Sequence, residues 1–462
     1  MTQPLTTVAA SAHPAVQMYA RHVNPAFVRL LGVLGYGRLF VRARDMWIWD
    51  HQGRQYLDFL AGFGAVNLGH NHPRLIERLH GFLNEEALNL CHVGPSPHAA
   101  ELAAALVRLA GKPLEVCLFS SSGAEAVEAG LKLARAATGR SHFLYCDGGF
   151  HGTNLGNLSV MGAERLRKPF EPLLSGCQPI PFGDLAALKA ALATEQFAAF
   201  LVEPIQAEAG IILPPPGYLK AAQRLCEHHG TLLVLDEVQT GLGRTGTCFA
   251  YQAEHFVPDV LALAKSLSGS IAPVAATLTR TDVHARAYGG MDRFDLHSST
   301  FAGNAFSCVA ALETLKILED EGLTANAAAR GKQLLDGLKK RLTGHPLVRA
   351  VRGRGLLVGI ELGPTDAGWL NKLAPALVEM ISRQVFGQWV AVQMLERGIL
   401  CQPASQQWNV LRLEPPLTVR AEHVEQVIDA LVEVLDVYRG LSPLLRDVAV
   451  RLVKQLLAGW KF

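Results

Sequence analysis

Charge of one sign is what the sequence most plainly lacks: 43 lysines and arginines stand against 41 aspartates and glutamates in 462 residues, a net charge of +2. With no basic excess there is no electrostatic footprint for a nucleic acid, and none is expected as a partner. Paired cysteines are missing too. The eight present, at positions 91, 117, 146, 177, 226, 248, 308 and 401, include no C-x-x-C spacing. That argues against a structural zinc site and for reduced, buried thiols in a reducing compartment; no metal is expected. No apolar run reaches the length of a membrane span. The N-terminal MTQPLTTVAASAHPA has neither the basic region nor the apolar core of a secretory signal. These absences lead to the expectation of a cytoplasmic protein, long enough for a large core and two domains.

What is present concentrates between Thr231 and Gly269. An apolar run from Leu232 to Leu235 ends in Asp236 and Glu237, and a second, Val260 to Ala264, ends in Lys265. Short apolar runs bounded by turn signals suit strands covered on both faces, as in parallel sheets, whose ligands bind beyond the carboxyl ends of the strands. An acid and an amine at two such ends can face one crevice. Lys265 is the sole Lys or Arg between Arg244 and Arg280, and apolar surroundings would lower its preference for the charged form, making it a nucleophile toward carbonyls. Spacing alone equally allows a lysine reaching from a strand end beside a surface acid. Gly241 to Gly246 also fits G-x-G-x-x-G, but a dinucleotide fingerprint needs a helix opening from the glycines, and Thr247-Cys248-Phe249 starts a helix poorly.

A second feature lies upstream. Val116-Cys117-Leu118-Phe119 reads as a strand entering Ser120-Ser121-Ser122-Gly123-Ala124-Glu125, where Ser122 and Glu125 form a capping box before an Ala- and Leu-rich helix. A strand, a tight turn and a helix N-terminus make an anion site without any lysine, and equally an ordinary capped helix. Pro25 to Leu31 reads as a helix in an N-terminal arm. Met46 to Asp50 and Tyr56 to Leu60 read as a hairpin, and Gly353 to Leu362 as one glycine-led strand.

DEVQTGLGRTG followed by LALAKSLSG resembles the core motif of the class III, or ornithine-type, pyridoxal phosphate-dependent aminotransferases, and further matches follow in the family's order from about residue 45 to about residue 435. The resemblance implies an α/β protein of fold type I, with a large, mostly parallel sheet domain carrying pyridoxal 5'-phosphate and a smaller α/β domain from both chain ends. The expected divisions are 1–70, an N-terminal arm and part of the small domain; 71–325, the large cofactor-binding domain; 326–440, the C-terminal small domain; and 441–462, an amphipathic helix. By the same resemblance Lys265 carries the cofactor as a Schiff base and acts as general acid/base. Asp236 pairs with the pyridine nitrogen, Val238 packs on the ring and Gln239 lies near its phenolic oxygen. The cofactor is an electron sink only while its ring nitrogen is protonated, and a neighbouring carboxylate favours that state.

The turn Ser121-Ser122-Gly123-Ala124-Glu125-Ala126 is similar to the family's N-S-G-T-E-A, which puts Ser122, Gly123 and Ala124 on the phosphate. Phe150, before His151-Gly152, matches the ring-stacking aromatic, with His151 beside it. Thr153 stands where acetylornithine-type enzymes usually carry Arg, which argues against an N-acetylated amino acid. Glu203-Pro204 and Ile205-Gln206-Ala207-Glu208 resemble E-P-x-Q-G-E, with Glu203 a structural acid and Glu208 the switch partner of Arg412. Arg412 sits inside an apolar strand, where a guanidinium needs an acidic partner or ligand. By resemblance it holds the α-carboxylate of glutamate or 2-oxoglutarate; a permanent Arg–Glu pair remains the other reading. Thr300, within a match to S-T-x-G-G-N, is expected to reach the phosphate across the interface of a homodimer.

The implied activity is ping-pong aminotransfer between a terminal primary amine or its aldehyde and glutamate or 2-oxoglutarate. The mostly apolar stretch from Trp369 to Arg397 resembles insertions of putrescine aminotransferase and of lipid- or polyketide-pathway enzymes, so a diamine such as putrescine and a bulky hopanoid- or polyketide-like aldehyde both stand as substrates. A pyridoxal aminomutase would keep Lys265 and Asp236 and need no keto acid. The tail from Pro443 places Leu445, Val448, Leu452, Leu456 and Trp460 near one helical face with basic residues elsewhere, which suits docking on its own domain or peripheral contact with a membrane.

Overall fold

The computed structural model describes residues 13–34, 36–90, 92–363, 386–437 and 447. The N-terminal arm is two helices, Pro14–His22 and Pro25–Leu34, each opened by a proline whose missing N–H costs nothing in a first turn. Three short strands follow, β1 (Phe40–Arg44), β2 (Trp47–Asp50) and β3 (Gln55–Asp58), with β2 and β3 forming the expected hairpin.

The centre is a seven-stranded sheet made of β4 (Leu114–Ser120), β5 (His142–Cys146), β6 (Cys177–Ile180), β7 (Phe197–Val202), β8 (Leu232–Asp236), β9 (Val260–Leu263) and β10 (Ala275–Arg280), in the order β4-β10-β9-β8-β7-β5-β6. All run the same way except β10, which is antiparallel to both neighbours. The apolar runs have their cause here. Leu233, Leu235, Leu261 and Leu263 join one buried cluster, while Leu232, Val234, Val260 and Ala262 join another on the opposite face. Side chains alternate across a pleat, so a strand covered on both faces must be apolar at every position. The helix Gly123–Thr138 covers one face through Ala126, Val127, Ala129, Gly130, Leu131, Leu133 and Ala134. Its small residues admit close packing: a Cβ on Gly130 would stand 3.2 Å from Val234 Cγ1.

The stretch from Gly353 to Leu362 is a hairpin, not the single strand expected. β11 (Val348–Arg354) turns at Gly355 into β12 (Leu357–Leu362), with Arg354 opposite Leu357. Gly355 has φ +57°, and a Cβ there would meet the Thr245 carbonyl carbon at 2.4 Å, so the turn needs glycine both for its dihedral and for its closeness to the Arg244–Thr245 backbone. The chain then contributes β13 (Ile399–Leu400), which pairs with β3, and β14 (Gln402–Pro403) and β15 (Val410–Leu413), which complete a sheet in the order β11-β12-β15-β14. Both chain ends therefore build the smaller sheets, and β15 carries Arg412 to the edge of the central one.

The G-x-G-x-x-G segment opens no helix; Gly241 to Gly246 are turns, and the next helical element is the short 3-10 turn Ala250–Glu254. The expectations for 369–385 and, apart from one residue, for the 441–462 tail lie outside the described residues. Among the described residues no helix is long and apolar enough to cross a membrane.

Candidate active site

The carboxyl ends of β4, β5, β7, β8 and β9 share one edge of the central sheet, and a cavity of about 210 Å³ lies beyond them. Its walls are Gly123, Ala124, Phe150, His151, Gly152, Glu203, Glu208, Asp236, Val238, Gln239, Thr240 and Lys265. Ten of the residues singled out in the sequence are in that wall: Gly123, Ala124, Phe150, His151, Glu203, Glu208, Asp236, Val238, Gln239 and Lys265.

Lys265 follows β9 by two residues. It has φ +47°, the left-handed region that a residue with a side chain adopts rarely and at a cost of order 1–3 kcal/mol. That dihedral breaks the strand and sends the amine toward Gln239, whose side-chain oxygen accepts from Nζ. Burial lowers the pKa of the amine, and Glu208 and Glu414 only partly restore it. Asp236 ends β8. Its Oδ2 lies 2.8 Å from His151 Nδ1, and its Oδ1 accepts from the Val238 N–H at 3.0 Å. The backbone around His151 is fixed in turn by Asn157, whose Nδ2 donates to the carbonyls of His151 at 2.6 Å and Ala124 at 2.8 Å.

Glu203, at the end of β7, holds the Phe150 N–H at 2.9 Å. Burial pushes its carboxyl up to about 7. It thus acts as a brace for the loop that presents Phe150, in line with its expected structural part.

At the helix N-terminus, Ser122 Oγ accepts from the Glu125 N–H at 3.2 Å, the expected cap. The reciprocal bond differs from a capping box: Glu125 Oε2 takes the N–H of Ser121, at 2.7 Å, rather than that of Ser122. Among the described residues no protein group claims the N–H of Gly123 or Ala124. Gly123 is tight for a further reason. A Cβ there would stand 2.8 Å from Val238 Cγ1, so the helix start and the residue two beyond Asp236 pack against each other.

Arg412 is wholly buried, and its Nη1 lies 2.6 Å from Glu208 Oε1. Its Nε and Nη2 have no partner among the described residues, and the Phe63 ring lies 4.9 Å from its guanidinium carbon. Burial alone would raise the Glu208 carboxyl, but Arg412 and then Lys265 more than offset it, leaving its pKa below the ordinary carboxylate range.

Three sequence candidates are not part of the cavity wall of this chain. Ser122 is exposed at the cap, Thr300 is exposed on a turn, and Arg412 is buried behind Glu208, which does line it. Two further groups went unremarked in the sequence. Asn157 carries no motif. Glu414 is fully buried two residues after Arg412, and its signal was present: a second charge just past the apolar strand that holds the first.

A model of the family described as aminotransferase class III matches residues 35–435. The chain belongs to the class III aminotransferases. Aminotransferase PigE of a Serratia species is 35% identical over 449 residues, 90% of this chain and 53% of PigE, so the chain spans about half the length of that relative. The ornithine aminotransferase of Toxoplasma gondii ME49 superposes with a TM-score of 0.77 at 32% identity, covering 86% of this chain and 90% of that one. An amine transaminase from an uncultivated Pseudomonas species, solved with pyridoxal phosphate bound, gives 0.77 at 31% identity over 86% of this chain and 94% of that one. The architecture is therefore fold type I, mixed α/β with a large, mostly parallel sheet.

Pyridoxal 5'-phosphate is the cofactor of this class III aminotransferase, and the residues present fit it. Two unclaimed backbone N–H groups at a helix N-terminus suit a dianion. A buried carboxylate backed by a histidine suits a cationic ring nitrogen. A buried amine with a lowered pKa suits a carbonyl.

Proposed function

We propose that this class III aminotransferase moves an amino group between a terminal primary amine, or its aldehyde, and glutamate or 2-oxoglutarate, in two half-reactions at one site. The observation that carries the reading is the convergence of the Lys265 amine, the Asp236–His151 pair and the Glu208–Arg412 pair on one cavity. The bound cofactor would supply an electron sink for the pair left when the substrate loses its α-proton. Lys265 would hold the cofactor's carbonyl carbon between turnovers and, once displaced, carry that proton at Nζ. Its burial lowers its pKa, which favours the neutral amine that can accept a proton. Asp236, oriented by His151, would hold the ring nitrogen in its protonated form. Val238 and Phe150 would bracket the ring, and Ser122, Gly123 and Ala124 would take the phosphate.

Arg412 would bind a substrate carboxylate through the nitrogens it does not share, with Glu208 turning aside for it. With Glu208 in place the guanidinium is screened, and an amine lacking that carboxylate can occupy the same cavity. Alternating substrates of these two kinds give ping-pong kinetics.

The active unit is proposed to be a homodimer. Thr300 lies outside its own cavity among exposed apolar residues, Met291, Phe294, Leu296 and Phe301, a patch of the kind that marks an interface. Its hydroxyl would complete the phosphate site of the partner subunit. The free thiols suit a reducing compartment, and the cytoplasm is proposed.

The test is visible absorption of the loaded protein with glutamate, putrescine and a long-chain primary amine in separate cuvettes. Bleaching by glutamate and by one of the amines is expected, and the amine that responds selects the diamine or the lipid-like branch. Turnover without any added keto acid would favour an aminomutase, and no response to any of the three would contradict the reading.

A further inference from the structure

Glu414 has no part in the chemistry proposed so far. It follows β15, two residues after Arg412, and its side chain is completely buried with Oε1 3.8 Å from Arg412 Nη1. Residues two apart on an extended segment project to the same side, so the chain itself delivers an acid next to the arginine. Gln239 Nε2 donates to both oxygens of Glu414, at 3.1 Å each, while Gln239 Oε1 accepts from Lys265 Nζ. A carboxylate only accepts, so Glu414 alone fixes the Gln239 amide one way round, with its oxygen toward Lys265. Arg412, Glu414, Gln239 and Lys265 form one continuous chain of contacts.

Two carboxylates therefore lie against Arg412, Glu414 being a charge neighbour of the buried Arg244 as well, and they are held differently. Glu208 lines the cavity and, apart from Arg412, takes among the described residues only the Ser405 N–H, at 3.3 Å. Glu414 does not line it. Besides the two bonds from Gln239, its own backbone N–H is clipped to the Phe59 carbonyl at 2.8 Å. When Glu208 turns aside, Glu414 stays. One guanidinium then has to serve a fixed carboxylate together with any carboxylate brought by a substrate, in surroundings where charges are weakly screened.

We propose that Glu414 is a specificity-determining residue: fixed beside Arg412, it competes for that guanidinium with any substrate carboxylate and so favours amines that carry none, such as diamines, over amino acids. This rests on the transaminase reading above. The acceptor keto acid is still bound by Arg412, but more weakly than a lone guanidinium would bind it.

Glu414→Gln is the variant of choice, because its amide oxygen still accepts from Gln239 and leaves that amide in place. Calorimetric titration with glutarate, a dicarboxylate with neither amine nor carbonyl, reads carboxylate affinity without turnover. The variant is expected to bind glutarate about tenfold more tightly than the wild type, and its kcat/KM ratio for putrescine over glutamate is expected to fall by about tenfold. Unchanged glutarate affinity would overturn the proposal. If Glu414→Gln does not fold, Glu414→Ala serves the same titration. A wild type that transaminates nothing would sink the parent reading separately, since the glutarate arm does not depend on it.

Discussion

Among the described residues two arginines are buried completely, and their partners separate a brace from a site. Arg244 gives Nη1 to the carbonyls of Leu356, at 3.1 Å, and Pro415, at 2.5 Å, and Nη2 to the Asn67 side chain, at 2.5 Å. Those acceptors come from three separate parts of the chain, and burial lowers its pKa to about 10. Arg412 instead bonds to a carboxylate on the cavity wall and leaves two nitrogens unclaimed. The adjacent acids Asp236 and Glu237 divide in the same way. Asp236 faces the cavity and His151, whereas Glu237 turns away and is held by the N–H groups of Ala250, at 2.7 Å, and Tyr251, at 2.9 Å. A buried polar group held by fixed neighbours away from the cavity holds structure together; one whose partners line a cavity is placed to exchange them for a ligand.

Substitutions at the four residues test that division. The largest expected effect is at Asp236: Asp236→Asn should lower the half-reaction rate by about 10²–10⁴-fold, while Glu237→Gln leaves it within about a few-fold, measured by stopped-flow absorbance. Next is Arg244→Met, which strands three acceptors and should lower unfolding free energy by about 3 kcal/mol in denaturant titration, with the folded fraction still active. Arg412→Met should raise KM for glutamate by about 30–100-fold with little effect on a diamine. An Arg244 variant that lost glutamate binding, or an Arg412 variant that lost mainly stability, would break the comparison.

The smallest effect concerns pH. Burial raises Glu237 from an ordinary 4.5 to about 7, so the folded protein keeps a proton there that the unfolded chain releases at lower pH. Stability should therefore fall as pH rises between those values. Glu237→Gln should remove a part of that fall on the order of 2–3 kcal/mol, while Glu203, raised for the same reason, retains its own share.

The central sheet was legible in the sequence because strands buried on both faces are apolar throughout and stop abruptly, which is how Asp236 and Lys265 announce themselves. The start of the helix at Gly123 was legible from its cap. The tertiary partnerships were not. His151 reads as a cofactor neighbour, but its bond to Asp236 joins a loop to a strand end 85 residues on. Glu414 becomes meaningful only when Gln239 and Arg412 are seen to converge on it. The hairpin at Gly355 depends on packing against another segment, the Arg244–Thr245 backbone, that local pattern does not encode. The pairing of Glu208 with Arg412 came from the family resemblance and is present at 2.6 Å; their exchange of partners during turnover awaits the substitutions above.

The most direct test of Lys265 as the reactive amine is borohydride reduction of the pyridoxal phosphate-loaded protein followed by peptide mapping. The account predicts a single stable label on the peptide containing Lys265, loss of the visible band, and a folded Lys265→Ala protein that neither takes the label nor transaminates. A label on another lysine, or normal transamination by Lys265→Ala, would contradict it.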